Sequence, residues 1–404
     1  MLSFKTIPIA KVFNTPRPQN PSPADEVASN DDLLIEILIH LPVKSLLQFK
    51  SVSKRWLSLI TSPHLSNRRY PYPCTPSGLF LRPLCGNPFN HHILEEEFIP
   101  IDNRGNLTSA PFGACSYFPD LSSVRILDSC NGLLCCSSSS RVECEENYHV
   151  YNPTTKQFIT LPEPGQGVQR NIDCLSLAFD PSKSTDLVYR ECFQIEIYSS
   201  ETRRWRKSVE LFNAGYAQFD NGVYWNGAIN WISSWGYWWY FNIDHDRLGT
   251  MPMQPHCDER FKRPFRYFGK SHDHLHLVEI YFMTQFDVYE MKRDYSEWFV
   301  KYRVDLEGVV SAFPEMILNH FDPLDLESYA FSILSLVRGE RDEESFLVLH
   351  TPGKVLRYNI ADKTFKKLCD VGPHCCFAEN LEVKSSLRYA WFDAFQYIES
   401  LLCV

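Results

Sequence analysis

No run of about 18 apolar residues occurs in this 404-residue chain, so no segment reads as a membrane-spanning helix. Residues 1–29 hold no continuous apolar stretch of signal-peptide type, because 7–10 and 12–13 are broken up by Lys5, Lys11 and five prolines. The first 24 residues lack Asp and Glu, as transit peptides do, but the prolines between Pro16 and Pro23 make 1–29 read as a disordered leader. Cys-x-x-Cys is missing among 14 cysteines, which removes zinc-ribbon and thioredoxin-type readings. Without a signal, these cysteines are expected to be buried and reduced, in the cytoplasm or the nucleus, where the sequon Asn106-Leu107-Thr108 carries little weight. A net charge of −9 argues against nucleic acid as the main partner, because phosphate binding needs a concentrated cationic face. Gly-x-Ser-x-Gly, Walker and His-Glu-x-x-His motifs are all missing, and Gly165-Gln166-Gly167 begins a Gly-x-Gly-x-x-Gly without completing it.

What is present is apolar and aromatic. At 44% hydrophobic and 22% charged, the chain can bury a sizeable core. Aromatics reach 14%, with 28 Phe, 20 Tyr and 9 Trp, a bias toward strands and flat contact surfaces. The length suits two or three average domains, or one large all-β body with an appendage.

Residues 30–60 read as helices. Asn30, Asp31 and Asp32 offer N-cap groups before Leu33, Leu34, Ile37, Leu38 and Leu41, which follow helical spacing until Pro42. Leu46, Leu47 and Phe49 make a second apolar turn, and Val52, Trp56, Leu57 and Ile60 a third stripe. About 35 residues of helix cannot form a self-sufficient core, so part of this surface needs a partner or the rest of the chain. Residues 30–70 carry a local charge of +3 against about −13 for 71–404, which suits docking to an acidic partner.

From Phe80 onward short alternating runs are separated by Gly, Pro, Asn and Asp. One element recurs: Tyr151 is followed seven residues later by Phe158, Tyr198 by Trp205, Tyr358 by Phe365 and Phe241 by Leu248, with Tyr289 and Trp298 a looser copy. Each reads as two strands joined by a polar turn, the aromatics facing each other across the ladder. The first residues of these pairs lie 47, 43, 48 and 69 residues apart, the period of propeller blades. The longest interval contains 304–326, which reads as an inserted loop. Arg388 to Tyr397 reads as a strand closing the ring. The expected fold is therefore mostly β with a small N-terminal helical head and a β-propeller-like body of roughly six to eight blades.

Asp32-Leu33-Leu34-Ile35-Glu36-Ile37-Leu38, Leu41-Pro42-Val43-Lys44-Ser45-Leu46-Leu47 and Phe49-Lys50-Ser51-Val52-Ser53-Lys54-Arg55-Trp56 resemble a plant-type F-box. The resemblance implies docking to a Skp-type adaptor and, through it, to a cullin–RING ubiquitin ligase. Position by position, the adaptor-facing set it implies is Leu34, Ile37, Leu41, Pro42, Leu46, Val52 and Trp56. Where that family usually has Leu-Pro before the first helix, this chain has Ser29 and Asn30, a loss of apolar contact worth about 1–3 kcal/mol. Cys130-Asn131-Gly132-Leu133-Leu134-Cys135, Tyr151-Asn152-Pro153-Thr154-Thr155-Lys156 and Gly222-Val223-Tyr224-Trp225-Asn226-Gly227 resemble the F-box-associated domain of plant F-box proteins, a kelch- or propeller-like body that recruits the protein to be ubiquitinated. The organisation that follows is a leader at 1–29, an F-box at 30–70, a Pro-rich linker at 71–78 and a substrate-recognition body at 79–404.

Other constellations weigh less. On a strand, His272, His274 and His276 would share a face and two could bind a metal, but with no identifiable fourth ligand a half-exposed blade strand is the default. The acids at 95–97 and 340–344 read as solvated turns, and Arg203, Arg204, Arg206 and Lys207 as a solvated basic turn. Trp231, Trp235, Trp239 and Phe241 fall on one face of a straight strand, the signature of core. Ser233, Ser234 and Gly236 read instead as a turn that places Trp235 and Tyr237 on a rim, as candidate substrate-binding aromatics. No catalytic residue, cofactor or metal is expected, and no nucleic acid or membrane as partner. The functional expectation is a non-catalytic substrate-recognition subunit of an SCF-type E3 ligase. A scaffold or inhibitor that binds proteins without assembling a ligase is the alternative, and an enzymatic or carbohydrate-binding propeller a third reading, by analogy of fold.

Overall fold

The computed structural model describes residues 26–27, 29–69, 75–83, 97–101, 123–139, 146–162, 175–179, 185–191, 194–208, 219–233, 238–253, 265–279, 284–317, 329–372, 374–378, 381–385 and 387–401. The chain divides into two compact units, 1–65 and 66–404.

The first unit carries short helices. Helix α1 (Asp31–Leu38) starts where the Asn30 side chain accepts hydrogen bonds from the Asp32 and Leu33 N–H groups, and α2 (Val43–Phe49) starts after Pro42. Helix α3 (Lys54–Thr61) is capped by Ser53, whose hydroxyl accepts from the Trp56 N–H. A fourth helix, α4 (Pro63–Arg69), follows.

The second unit is a β-propeller. Five four-stranded antiparallel sheets, each a meander in chain order, occupy 123–160, 175–207, 223–250, 265–305 and 332–370; we call them blades 1 to 5. Their first strands adjoin one another in sequence. A three-stranded sheet from both ends of the unit, in the order Glu97–Pro100, Gly78–Leu81, Ala394–Tyr397, places its last strand between the first strands of blades 5 and 1. The closing strand near Tyr397 is thus where the sequence puts it, paired with Gly78–Leu81. Strand alternation explains the closure: Leu79 and Leu81 face Val348 and Val355 of blade 5, while Phe80 joins Val124, Ile126 and Tyr151 of blade 1.

The blade number is corrected. Among the described residues the structure shows five complete blades, not six to eight. Dividing the length by the aromatic period counts the long segments between blades as blade, and the two chain ends share one shorter sheet. One such segment, 304–326, is more than a loop: it contains α5 (Glu307–Ala312) and a 3-10 turn at Pro314–Met316, with Val309 and Met316 fully buried.

The aromatic repeat is the third-to-fourth-strand hairpin of each blade. Tyr151 pairs with Phe158, Tyr198 with Trp205, Phe241 with Leu248 and Tyr358 with Phe365 in direct register. The residue five places after each first member, Lys156, Arg203, Asp246 and Lys363, has φ between 52 and 61°, so one turn geometry recurs. In blade 4 the turn is longer, and Tyr289 faces Val300 while Trp298 faces Met291. Blades 1 and 3 connect their first two strands through Asn131-Gly132 and Asn226-Gly227, all four residues at positive φ, as a two-residue hairpin requires. A Cβ on Gly132 would also stand 2.6 Å from that of Ser400. Cys135 and Cys136 are both buried, in the blade 1–2 core and the core against the closing sheet respectively, so the adjacent side chains do take opposite faces.

Candidate functional site in the helical head and the propeller channel

In the head, α3 contacts both α1 and α2. Leu34, Ile35, Leu38, Val43, Leu46 and Ile60 are buried. Trp56 meets Phe49 edge to face at 5.3 Å. Arg55 ties the start of α3 to the start of α1, donating to Asp31 Oδ1 and to the Ser29 carbonyl at 2.8 Å. Ser29 and Asn30 thus act as polar anchors, one accepting from Arg55 and the other capping α1.

The adaptor-facing set divides. Leu34 and Leu46 are buried at 4% and 0% exposure, so they shape the head from inside. Ile37 and Val52 are exposed at 48% and 60%, Pro42 is exposed, and Leu41 and Trp56 are half-buried. Leu33 and Leu57, exposed at 45% and 43%, belong with the outward group although the family resemblance did not carry them over. For Leu33 a signal was in the sequence: α1 is apolar at 33, 34, 35, 37 and 38, a wider arc than one buried face accommodates.

In the body, the first strands surround a channel with a cavity of about 120 Å³. Its walls include Asp128 and Asn131 from blade 1, Tyr224 from blade 3, Lys270 from blade 4, Leu334 from blade 5, and Trp391, Phe392 and Gln396 beside the closing strand. A β-bulge between Ile126 and Asp128 sets the backbone there. Asp128 accepts the N–H of Ser129 and that of Leu177 in blade 2, each at 2.7 Å. Burial pushes its carboxyl up to about 7, against the opposing pull of those two N–H groups. A second cavity, about 300 Å³, shares Leu127, Asp128, Asn221 and Gly222 and adds Arg82, Arg125, Glu146 and Asp220. Arg82 is paired with Asp393 at 2.7 Å, and Arg125 also acts on that carboxylate.

The histidine reading is corrected. His272 and Asp273 form the positive-φ turn between the first two strands of blade 4, so only His274 and His276 lie on a strand. Both face Glu290, with His274 Nδ1 2.8 Å from Oε1 and His276 Nε2 3.4 Å from Oε2. Arg338 of the next blade donates to Glu290 at 2.8 Å, a cation where a metal would have to sit. Burial works to raise the Glu290 carboxyl, but the hydrogen bonds from His274 and His276 outweigh it and hold the group well below the usual carboxylate range. Trp231 and Phe241 are buried together with Trp239 against them, so that face is core. Trp235 and Tyr237 lie outside the described residues. In the basic run, Arg203 and Arg204 are exposed, while Arg206 pairs with Asp246 and Lys207 with Glu196. The acids at 340–344 form an exposed turn. No helix among the described residues is long and apolar enough to cross a membrane.

The head matches the F-box domain family over residues 30–68. F-box protein At5g07610 of Arabidopsis thaliana is 37% identical over 382 residues, covering 86% of this chain and 87% of that protein. The F-box/kelch-repeat protein At3g23880 of the same plant is 26% identical over 54% of this chain and 62% of its own length. Among solved structures, a chain from "YCF48 bound to D1 peptide" aligns over 78% of this chain and 92% of its own, at 10% identity and a TM-score of 0.37. With its head matched as a domain and the similarity to a plant relative running nearly end to end, this chain belongs to the F-box proteins, built as an F-box on a β-propeller body.

Proposed function

We propose that this protein is the substrate-recognition subunit of an SCF-type E3 ubiquitin ligase, working in the cytoplasm or nucleus. F-box proteins generally serve as SCF substrate adaptors and are typically non-catalytic. The observation that carries the reading is the second apolar face of the head. Leu33 and Ile37 stand one turn apart on α1, and Val52 and Leu57 are exposed as well, on a segment too short to need them for its own core. A Skp-type adaptor covers these residues together with Pro42 and the accessible parts of Leu41 and Trp56, while Leu34 and Leu46 hold the helices in register from within. The positive charge of 30–70 steers an acidic adaptor toward it. The cullin–RING assembly joins through that adaptor. The body, beyond the linker at 71–78, holds the target, with Trp235 and Tyr237 as rim contacts. No bond is made or broken by this chain: it raises the local concentration of a target lysine at the ligase, and transfer chemistry belongs to other subunits.

The test is a pull-down of the full chain with purified Skp-type adaptor. Wild type is expected to be retained and Leu41→Ala/Pro42→Ala to be lost, with both proteins melting at similar temperature. Failure of the folded wild-type chain to bind at micromolar adaptor would overturn the ligase reading, leaving a protein-binding scaffold. Replacing Ser29-Asn30 with Leu-Pro would then be the next variant to test.

A further inference from the structure

A lysine and a carboxyl group line the channel cavity, and no described residue forms an ion pair with either. Lys270 enters from blade 4. Its ammonium lies 3.4 Å from Asn131 Oδ1 and 5.8 Å above the Tyr224 ring, and no described carboxylate comes within ion-pair distance. Asp128 enters from blade 1 and has its two backbone N–H donors, but no described Lys or Arg forms an ion pair with it. Arg82 of the neighbouring cavity is paired with Asp393 instead, and Arg125 also acts on that carboxylate. Half-buried charges without partners are costly, and the cheapest remedy, a direct Lys270–Asp128 bridge, is not made.

The rest of the cavity suits a small guest. Its volume, about 120 Å³, holds about four waters at liquid density. Trp391 and Phe392, edge to face at 5.5 Å, and Leu334 give it an apolar side. Gln396 spends its amide N–H groups on the Lys270 carbonyl and Ser335, so its side-chain oxygen is left to accept.

We propose that the propeller channel binds a small zwitterion of amino-acid type, its carboxylate on Lys270 and its ammonium on Asp128 and the Gln396 oxygen. The apolar portion of the guest lies against Trp391 and Phe392. A monovalent anion would satisfy Lys270 alone and a diamine Asp128 alone; only a molecule bearing both charges neutralises both walls at once. The inference does not depend on the head or on its adaptor.

The experiment is calorimetric titration of the full chain with the twenty standard amino acids, with acetate, inorganic phosphate and 1,4-diaminobutane as single-sign controls. At least one neutral amino acid is expected to bind saturably with Kd below about 1 mM, and at least tenfold better than any control. Lys270→Met should lose that binding by tenfold or more, and Lys270→Glu should transfer preference to the diamine. Lys270 is half-exposed and makes one long hydrogen bond, so these variants keep the fold, checked by near-UV circular dichroism. Asp128→Asn removes an acceptor from one of two backbone N–H groups and serves only if it folds. Absence of any amino-acid binding, equal binding of acetate or phosphate, or binding unchanged in Lys270→Met would each overturn the proposal. Adaptor docking is read in a separate assay, so either can fail alone.

Discussion

The head and the body handle apolar surface in opposite ways. In the body, each sheet faces another, and the cores form between neighbours: Trp225, Trp238 and Met251 of blade 3 against Phe268, Leu275 and Trp298 of blade 4, for example. In the head, α1 is apolar on two sides and only one side is buried, so Leu34 and Leu38 go in while Leu33 and Ile37 stay out. Ring closure gives every blade two partners from within the chain. The short helices of the head cannot do the same for themselves, and the aliphatic surface left over is what a docking module offers.

The sharpest way to break this contrast is to damage one region and read both. Trp225 is 1% exposed and its indole N–H donates to the Asp273 carbonyl at 2.8 Å. Trp225→Ala is expected to cost about 3–5 kcal/mol of body stability, read by chemical denaturation, while adaptor binding through the head is retained.

A smaller effect comes from pH. His350 sits in blade 5 with Nδ1–H donating to the Thr351 carbonyl and Nε2 accepting the Arg388 N–H. Burial lowers its pKa to about 4. Because the unfolded chain takes up this proton near 6.5, the contribution of neutral His350 is complete above that pH and is lost as pH falls from 6.5 to 4. Unfolding free energy measured across that window should fall in wild type and have a flatter slope in His350→Gln, which keeps a side-chain acceptor.

Weaker still is the polar clamp of the head. Arg55 and Asp31 are 41% and 58% exposed, so Arg55→Ala should lose only about 0.2–1 kcal/mol, seen as a small drop in the head's melting temperature. Smallest in stability, within about 0.5 kcal/mol, is Ile37→Asp, since that side chain is already in water. If the two regions differ as argued, this least damaging change removes adaptor binding, and the most damaging one does not.

Much of the body was legible because its repeat is local. Tyr151 and Phe158 must face each other if a four-residue polar turn joins two strands, and the same offset recurs three more times. The blade total was not legible, since it depends on how much chain runs between blades and on a sheet assembled from residues more than 290 apart, such as Leu81 and Ala394. The histidine cluster was misread for a related reason. Alternation puts His272 on the strand, but the tight turn falls on His272-Asp273, where neither Asn nor Gly marks it. In the head, spacing identified the apolar positions without saying which way each would point: only the packing of α3 on α1 and α2 separates Leu34 and Leu46 from Ile37 and Val52. The channel pair Asp128 and Lys270, 142 positions apart, left no local signal at all.

The most direct test of the central claim is titration calorimetry of the full chain with a purified Skp-type adaptor, wild type against Ile37→Asp/Val52→Asp. Saturable binding by wild type and none by the double variant, at unchanged circular dichroism and melting temperature, is the predicted result. Equal binding by the two proteins would contradict the account, because the exposed aliphatic face of the head would then have no part in docking.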